Sequence, residues 1–477
     1  MLGSDAYGLI AFHIALLTAA QFFDFGLTMT SNRALAQAMA TNASSAQIRS
    51  LYFTTQVIYH VIGIILGLCL LASAELLATS WLTSKQLSTS TMTICLQIFA
   101  ITIVFQWPTT LHYAVLAGIE HLRELAVMRV VFATLQLLIT FLVLYLNEPS
   151  LVNYLYSLLV FSICQWLTYH IVIWLSLPRP IRIPVFDLSL VQNSGSLRLI
   201  PAFATATGIL VTQTDKLLLS RWLSLQQFSY YVLATTAANA LAPLIGAIFN
   251  VIYPRLSFLL ARSLYDEARA TYRDVARTVN LLLIPLTSVL VFFSAPLLRV
   301  WTGDAQAATS SAPLLSLIVI AVLFNSLMNL PYALQLASGR FDISLMLNLL
   351  LLSLLVPGLF IAVPLWGAFG AAIVLCAIMG TYFICGGIFT LSRLLPGVAF
   401  HWYREVLINI IITFSVAFTL LHVLPEVTSA TTLFISYIMV WLAATCAMCI
   451  CSSYYRSQFI NGLDLAKRLA FTSRYRS

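Results

Sequence analysis

Apolar residues run in long stretches along this chain, interrupted by short polar segments. The stretches fall at about 7–30, 51–78, 93–116, 126–146, 151–176, 199–222, 227–254, 278–300, 310–337, 341–364, 367–392, 405–424 and 432–452. Each meets the ~20 residues that a helix needs to cross the ~30 Å hydrocarbon layer. They are rich in Leu, Ile, Ala and Val and lack the strict alternation of barrel strands, so the pattern predicts about thirteen membrane-spanning helices. The connections are too short to hold a soluble domain.

Composition agrees with the pattern. Of 477 residues 61% are hydrophobic and 8% charged, against roughly 25% charged in a soluble domain. No water-facing shell can be built from so few charges, so lipid must solvate most of the surface. The net charge is +8, and its placement says more than its total. Twenty of the 24 basic residues lie in or beside alternate loops: Arg33, Arg49, Arg123, Arg129, Arg179, Arg182, Arg198, Arg255, Arg262, Arg269, Arg273, Arg277, Arg340, Arg393, Arg404, Arg456, Lys467, Arg468, Arg474 and Arg476. Intervening loops hold Lys85, Arg221 and Arg299, and Lys216 lies inside a span. By the positive-inside rule the rich loops and the C-terminus are cytoplasmic. Charge so dispersed around membrane spans argues against a nucleic-acid partner. With thirteen spans Met1 would then lie outside without a signal peptide to carry it there. The expectation is that one N-terminal span of about 25–30 residues is absent, and that restoring it gives fourteen helices with both termini inside.

Two halves of the chain echo each other. Gly3-Ser4-Asp5-Ala6-Tyr7-Gly8-Leu9-Ile10 parallels Ser224-Leu225-Gln226-Gln227-Phe228-Ser229-Tyr230-Tyr231, an offset of 221. Each opens a long span that ends at an arginine, Arg33 or Arg255. Trp107-Pro108 leading to Gly118 echoes Leu330-Pro331 leading to Gly339-Arg340. The expected organisation is all-α and polytopic, with two related six-helix bundles. The N-terminal bundle, 1–178, lacks its first helix, and the second spans 197–394. A C-terminal helix pair follows at 405–452, then a basic cytoplasmic tail at 453–477. Parallel repeats flanking a central cavity are a common transporter plan.

Three stretches resemble the oligosaccharide flippase family, the O-antigen and capsule repeat-unit flippases of the polysaccharide transport group in the MATE-like flippase superfamily. They are Gly3-Ser4-Asp5-Ala6-Tyr7-Gly8 with Phe23-Asp24-Phe25-Gly26-Leu27, then Gln213-Thr214-Asp215-Lys216-Leu217-Leu218-Leu219-Ser220 continuing through Tyr230-Tyr231, and Tyr253-Pro254-Arg255-Leu256-Ser257. The resemblance implies translocation of a polyprenyl-diphosphate-linked oligosaccharide from the cytoplasmic to the periplasmic leaflet of a bacterial inner membrane. It also implies membrane lipid and other polysaccharide assembly proteins as partners.

Ionisable groups deep in a membrane cost about 3 kcal/mol each even on the lenient scale, so each needs a reason. Gln21, Asp24, Thr28 and Ser31 fall on one face of an uninterrupted helix, as do Thr205, Gly208, Thr212 and Asp215. Asn239, Pro243, Gly246 and Asn250 form a third stripe, and Asn325, Asn329 and Tyr332 a fourth. Four stripes on four helices predict a hydrated cavity, with hydrogen bonding between packed helices as the alternative. Lys216, the one lysine within a span, is expected to turn about 100° away from Asp215 and to attract the diphosphate. Asn239, Asn250 and Asn325 are candidate cavity residues. Arg33 and Arg255 are either topology anchors or head-group ligands. Asp24 and Asp215 are candidate ion-coupling carboxylates, Asp24 having a structural salt bridge as its alternative. His60, His112 and His170 are expected to be satisfied by neighbouring helices, with a role in proton movement as the alternative. Pro108, Pro243, Pro285 and Pro331 are candidate bending points.

No lysine follows a glycine, so no Walker A loop is present and ATP hydrolysis on this chain is excluded. Cys446, Cys449 and Cys451 cluster in the last span, but no histidine joins them at zinc-site spacing. Neither a metal nor another cofactor is expected, and no catalytic residue. The rival readings are a multidrug or ion antiporter of the same superfamily, a lipid II flippase, and a membrane glycosyltransferase or polymerase. The last is disfavoured by short external loops holding only the scattered acids Glu148, Asp304 and Glu426.

Overall fold

The computed structural model describes residues 2–41, 43–146, 150–178, 184–189, 199–423 and 430–451. The basic tail 453–477, with Arg179, Arg182 and Arg198, lies outside the described residues. The described chain is helical throughout; among these residues no β-strand forms, and one isolated bridge joins Thr83 to Ser224. Eleven of the described helices are long and apolar enough to cross a membrane. One of them, Phe341–Leu394, has 54 residues, which at 1.5 Å per residue would reach about 80 Å, more than two bilayer cores. It is interrupted at Gly367, whose φ is 56° and ψ −139°, close to the expected boundary between runs 341–364 and 367–392. The helix Leu199–Trp222 is not among the eleven, because Thr212, Gln213, Thr214, Asp215 and Lys216 dilute its apolar character. Dividing the first and adding the second recovers thirteen crossings.

The chain forms two units. Unit 1 comprises 1–232 with 348–367, and unit 2 comprises 233–347 with 368–477. Unit 1 begins with helices α1 (Ser4–Ala20), α2 (Leu27–Ala40), α3 (Ser45–Leu76), α4 (Thr89–Gln106), α5 (Thr109–Gly118), α6 (Leu122–Leu146), α7 (Leu151–Ser176) and α8 (Leu199–Trp222). Helix α3 packs on α4, α4 on α7, α2 on α5, and α1 on α8. Two side chains satisfy free backbone groups in this unit. The buried Asp5 carboxylate accepts from Ser84 Oγ at 2.5 Å and from the amides of Lys85 and Gln86 at 3.1 and 3.2 Å. Arg49 donates to the carbonyls of Trp174, Leu177 and Pro178, the open end of α7. Helix α6 is the outlier, with Leu125 its one buried residue; it packs against α5 and α7.

Helix α9 (Leu225–Ala238) begins in unit 1. Unit 2 continues with α10 (Ala242–Ala261), α11 (Tyr265–Phe292), α12 (Ser294–Thr302), α13 (Ala305–Ala337), the latter half of α14 (Phe341–Thr381), α15 (Gly387–Leu394), α16 (Ala399–Val423) and α17 (Ala430–Cys451). Helix α13 packs against α10, α11 and α12, while α16 and α17 dock on α11. Tyr437 donates to the Phe293 carbonyl at 2.7 Å, and Arg277 holds Glu405 through Nε and Nη2 at 2.7–3.1 Å.

The sequence echo is an echo of structure. Helix α1 starts at Ser4 and α9 at Leu225, an offset of 221. Each gives way to a 3-10 turn, Gln21–Asp24 and Asn239–Leu241, before a second half-span ends beyond Arg33 or Arg255. Of the expected bending points, Pro108 and Pro243 stand at breaks between helices, whereas Pro285 and Pro331 lie inside continuous α11 and α13.

Candidate functional site

The expected stripe Gln21–Asp24–Thr28–Ser31 does not form, because the span is broken. Phe25 and Gly26 adopt left-handed conformations with φ of 43° and 77°, a geometry that glycine tolerates and phenylalanine rarely adopts. Asp24 caps the new helix. Its carboxylate accepts from the amides of Gly26 and Thr28 at 3.2 and 3.1 Å and from the Thr28 hydroxyl at 2.5 Å. The Tyr59 hydroxyl in turn donates to Thr28 Oγ1. Ser31 turns inward, buried, to the Leu27 carbonyl. Phe22, Phe23 and Phe25 pack edge to face at the break, and Phe25 meets Phe203 of α8 at 6.3 Å. Asp24 is thus a helix cap at a discontinuity, a role the one-helix pattern hid. An Asp two residues before a Gly is the signal that could have revealed it.

On α8, Thr205 and Thr212 are exposed but Asp215 is buried, so these residues do not share one surface. The expected separation of Lys216 from Asp215 also fails. Lys216 Nζ lies 3.2 Å from Asp215 Oδ1 and 3.4 Å from Oδ2, and donates to the Thr212 carbonyl at 2.8 Å. The 100° between adjacent Cβ vectors is overcome by the four-carbon lysine stem, which folds back along its own helix. Tyr231 Oη on α9 donates to Asp215 Oδ2 at 2.7 Å from a wholly buried position. The side chains of Lys216 and Asp215 are 18% and 4% exposed, so a nearly dry ion pair replaces the free ammonium. Tyr231 stands in the same resembling stretch as Asp215, but nothing in the sequence marks it as the partner sixteen residues away on the next helix.

Unit 2 presents its polar residues differently. Asn239 and Pro243 at the break, and Asn250 and Arg255 farther along α10, are all exposed, with Gly246 half-buried between them. Nothing lies within 4 Å of where a Gly246 Cβ would stand. On the adjacent α13, Asn325 is exposed and accepts at its carbonyl from Asn329 Nδ2 at 3.0 Å. Phe249 joins the two helices, nearly parallel to Tyr253 and Tyr332 at 6.0 and 5.9 Å. Exposed amides at membrane depth require water or a polar partner. Arg255 forms an exposed pair with Glu267 at 3.9 Å, and Arg33 is exposed.

These features define an all-helical membrane protein of broken spans, with an intramembrane ion pair in one unit and an open amide-lined face in the other. The chain belongs to the polysaccharide biosynthesis protein family, whose model matches residues 1–311. Its fold is similar to that of an inward-facing multidrug resistance MATE transporter of the MOP superfamily, with TM-score 0.70, 12% identity, and coverage of 82% of this chain and 91% of that one. It is also similar to the lipid II flippase MurJ in an inward closed conformation, with TM-score 0.70, 15% identity, and coverage of 96% and 98%. A MOP superfamily transporter from Pyrococcus furiosus matches at TM-score 0.57, with 10% identity and coverage of 82% and 89%. No curated protein matches.

Proposed function

We propose that this protein is a flippase that carries a polyprenyl-diphosphate-linked oligosaccharide repeat unit from the cytoplasmic to the periplasmic leaflet by alternating access. The carrying observation is the pairing of a polysaccharide biosynthesis family with a fold that a lipid II flippase shares over nearly its whole length. The chemistry supports it. A sugar head group loses its hydrogen bonds to water in hydrocarbon, and the exposed Asn239, Asn250 and Asn325 offer replacements. Lys216 meets the diphosphate after parting from Asp215, and Arg33 and Arg255 contribute from the helix ends. Asp24 and Asp215 are the carboxylates for ion coupling. No covalent step is required of the protein, so the reading is not that of an enzyme. The setting is the bacterial inner membrane, with the C-terminus cytoplasmic and polysaccharide assembly proteins as neighbours.

The test is reconstitution in vesicles with a fluorescent undecaprenyl-diphosphate disaccharide, scored by quenching of the outer leaflet with a membrane-impermeant reductant. The wild type should equilibrate the probe between leaflets, and Lys216→Ala should slow it while leaving insertion intact. Efflux of cationic dyes without lipid translocation would instead establish the antiporter reading, which the equal TM-score of the MATE transporter favours as the second choice.

A further inference from the structure

The span Thr89–Gly118 breaks at Trp107–Pro108, and the half-helix α5 beyond the break carries His112 in its first turn. The His112 ring is 0% exposed and lies nearly parallel to Tyr169, at 6.2 Å and 12°. Neither ring nitrogen has a hydrogen-bond partner, contrary to the expectation that neighbouring helices satisfy it. Leaving a buried polar group in that condition is unfavourable. The two neighbouring histidines differ. His60 Nδ1 lies 2.7 Å from the Gln56 carbonyl and must donate to it, while Nε2 accepts from Trp166 Nε1 at 2.9 Å. His170 Nδ1 accepts from Gln56 Nε2 at 2.6 Å. Both are fixed as neutral tautomers, so of the three rings His112 alone keeps an unengaged lone pair.

Helix α5 is joined to a second half-helix. Asn32 Nδ2 on α2 donates to the Ala114 carbonyl at 2.8 Å, and a Cβ on Gly118 would stand 2.6 Å from the Asn32 carbonyl oxygen. Since α2 starts at the Phe25–Gly26 break and α5 at the Trp107–Pro108 break, two hinged segments are fastened to each other. We propose that His112 is a proton-binding site, and that proton uptake there releases the joined half-helices α2 and α5 from the wall formed by α3 and α7. The ionisable groups around it are His60 on α3, His170 and Tyr169 on α7, Tyr113 on its own helix, and Arg129 of α6, which lies over the Tyr113 ring at 4.2 Å. Helix α2 carries the exposed Arg33, α6 the exposed Arg123 and Glu124, and the exposed Glu120 follows α5. A charged His112 would find no acceptor where it sits, since both ring nitrogens are buried without a partner. The packed arrangement therefore belongs to the neutral ring. The proton goes to the free lone pair, and no other bond changes.

As a coupling step this rests on the transport reading above, but proton binding and helix release do not, so both are measured without substrate. The full chain in lipid nanodiscs, labelled with 15N-histidine, is titrated from about pH 8 down to about pH 3. One ring signal should titrate in the wild type and vanish in both His112→Gln and His112→Phe. Hydrogen exchange of 27–40 and 109–118, corrected for the intrinsic pH dependence, should rise by up to about tenfold per pH unit on acidification, the limit for one proton. It should stay flat in both variants. The phenylalanine keeps the stack on Tyr169 and the glutamine keeps a polar group, so misfolding of one leaves the other. Absence of a titrating signal that both variants lose, or equal pH dependence of exchange in wild type and variants, would overturn the proposal. Failure of lipid translocation with these results intact would count against the flippase reading alone.

Discussion

Asp215 and Lys216 illustrate how much one buried pair decides. Removing one partner strands the other charge, and breaking such a pair costs about 3–5 kcal/mol. Lys216→Met should therefore lower unfolding stability in detergent by that order, and Asp215→Asn with Lys216→Met should restore most of it, because no lone charge remains. Tyr231→Phe removes one charge-assisted hydrogen bond and should cost about 1.5–3 kcal/mol; an effect of all these variants within measurement error would refute the dry-pair description. Glycines give a second residue-scale contrast. A Cβ on Gly8 would lie 2.3 Å from the Leu225 carbonyl oxygen, whereas Gly246 faces open space. Gly8→Ala should destabilise by about 1–3 kcal/mol. Gly246→Ala should leave the melting temperature unchanged or raise it, since alanine favours helix by up to about 1 kcal/mol.

At the level of elements, the breaks carry the design. Gly26→Ala places a Cβ at φ 77°, where an L-residue costs roughly 1–2 kcal/mol; hydrogen exchange in 21–30 should rise relative to the rest of α1. Most spans were readable because a bilayer imposes length and apolarity; the break between runs 341–364 and 367–392 falls at Gly367, just after Pro364. Proline was a poorer guide. Pro108 and Pro243 mark breaks, but Pro331 sits in a helix that runs unbroken from Ala305 to Ala337, since neighbouring helices can shelter the freed carbonyl. The candidate site was legible by residue type and not by partner. Asp24, Asp215 and Lys216 stand out as charges in apolar runs, yet that Asp24 caps a helix and that Asp215 meets Tyr231 depends on left-handed turns and on packing between helices. The same limit applies to His112, whose lack of a partner is a property of α5 against α7.

Within unit 2, the C-terminal helix pair is tied to α11 by the bidentate Arg277–Glu405 contact, with side chains 21% and 28% exposed, and by an apolar cluster of Val289, Phe293, Ala417 and Val440. Glu405→Gln should loosen α16 by about 1–2 kcal/mol, between the exposed and buried limits. Limited proteolysis after residue 394 should then quicken without loss of the remaining fold. The ion pair has a further consequence, for biogenesis. Helix α8 holds two charges that the translocon would each penalise by about 3 kcal/mol at mid-helix, and its aspartate is completed by a tyrosine that emerges from the ribosome later, on α9. The 199–238 hairpin should thus partition laterally as one body, and a nascent chain arrested just past Trp222 should leave that segment stranded at the aqueous lateral gate.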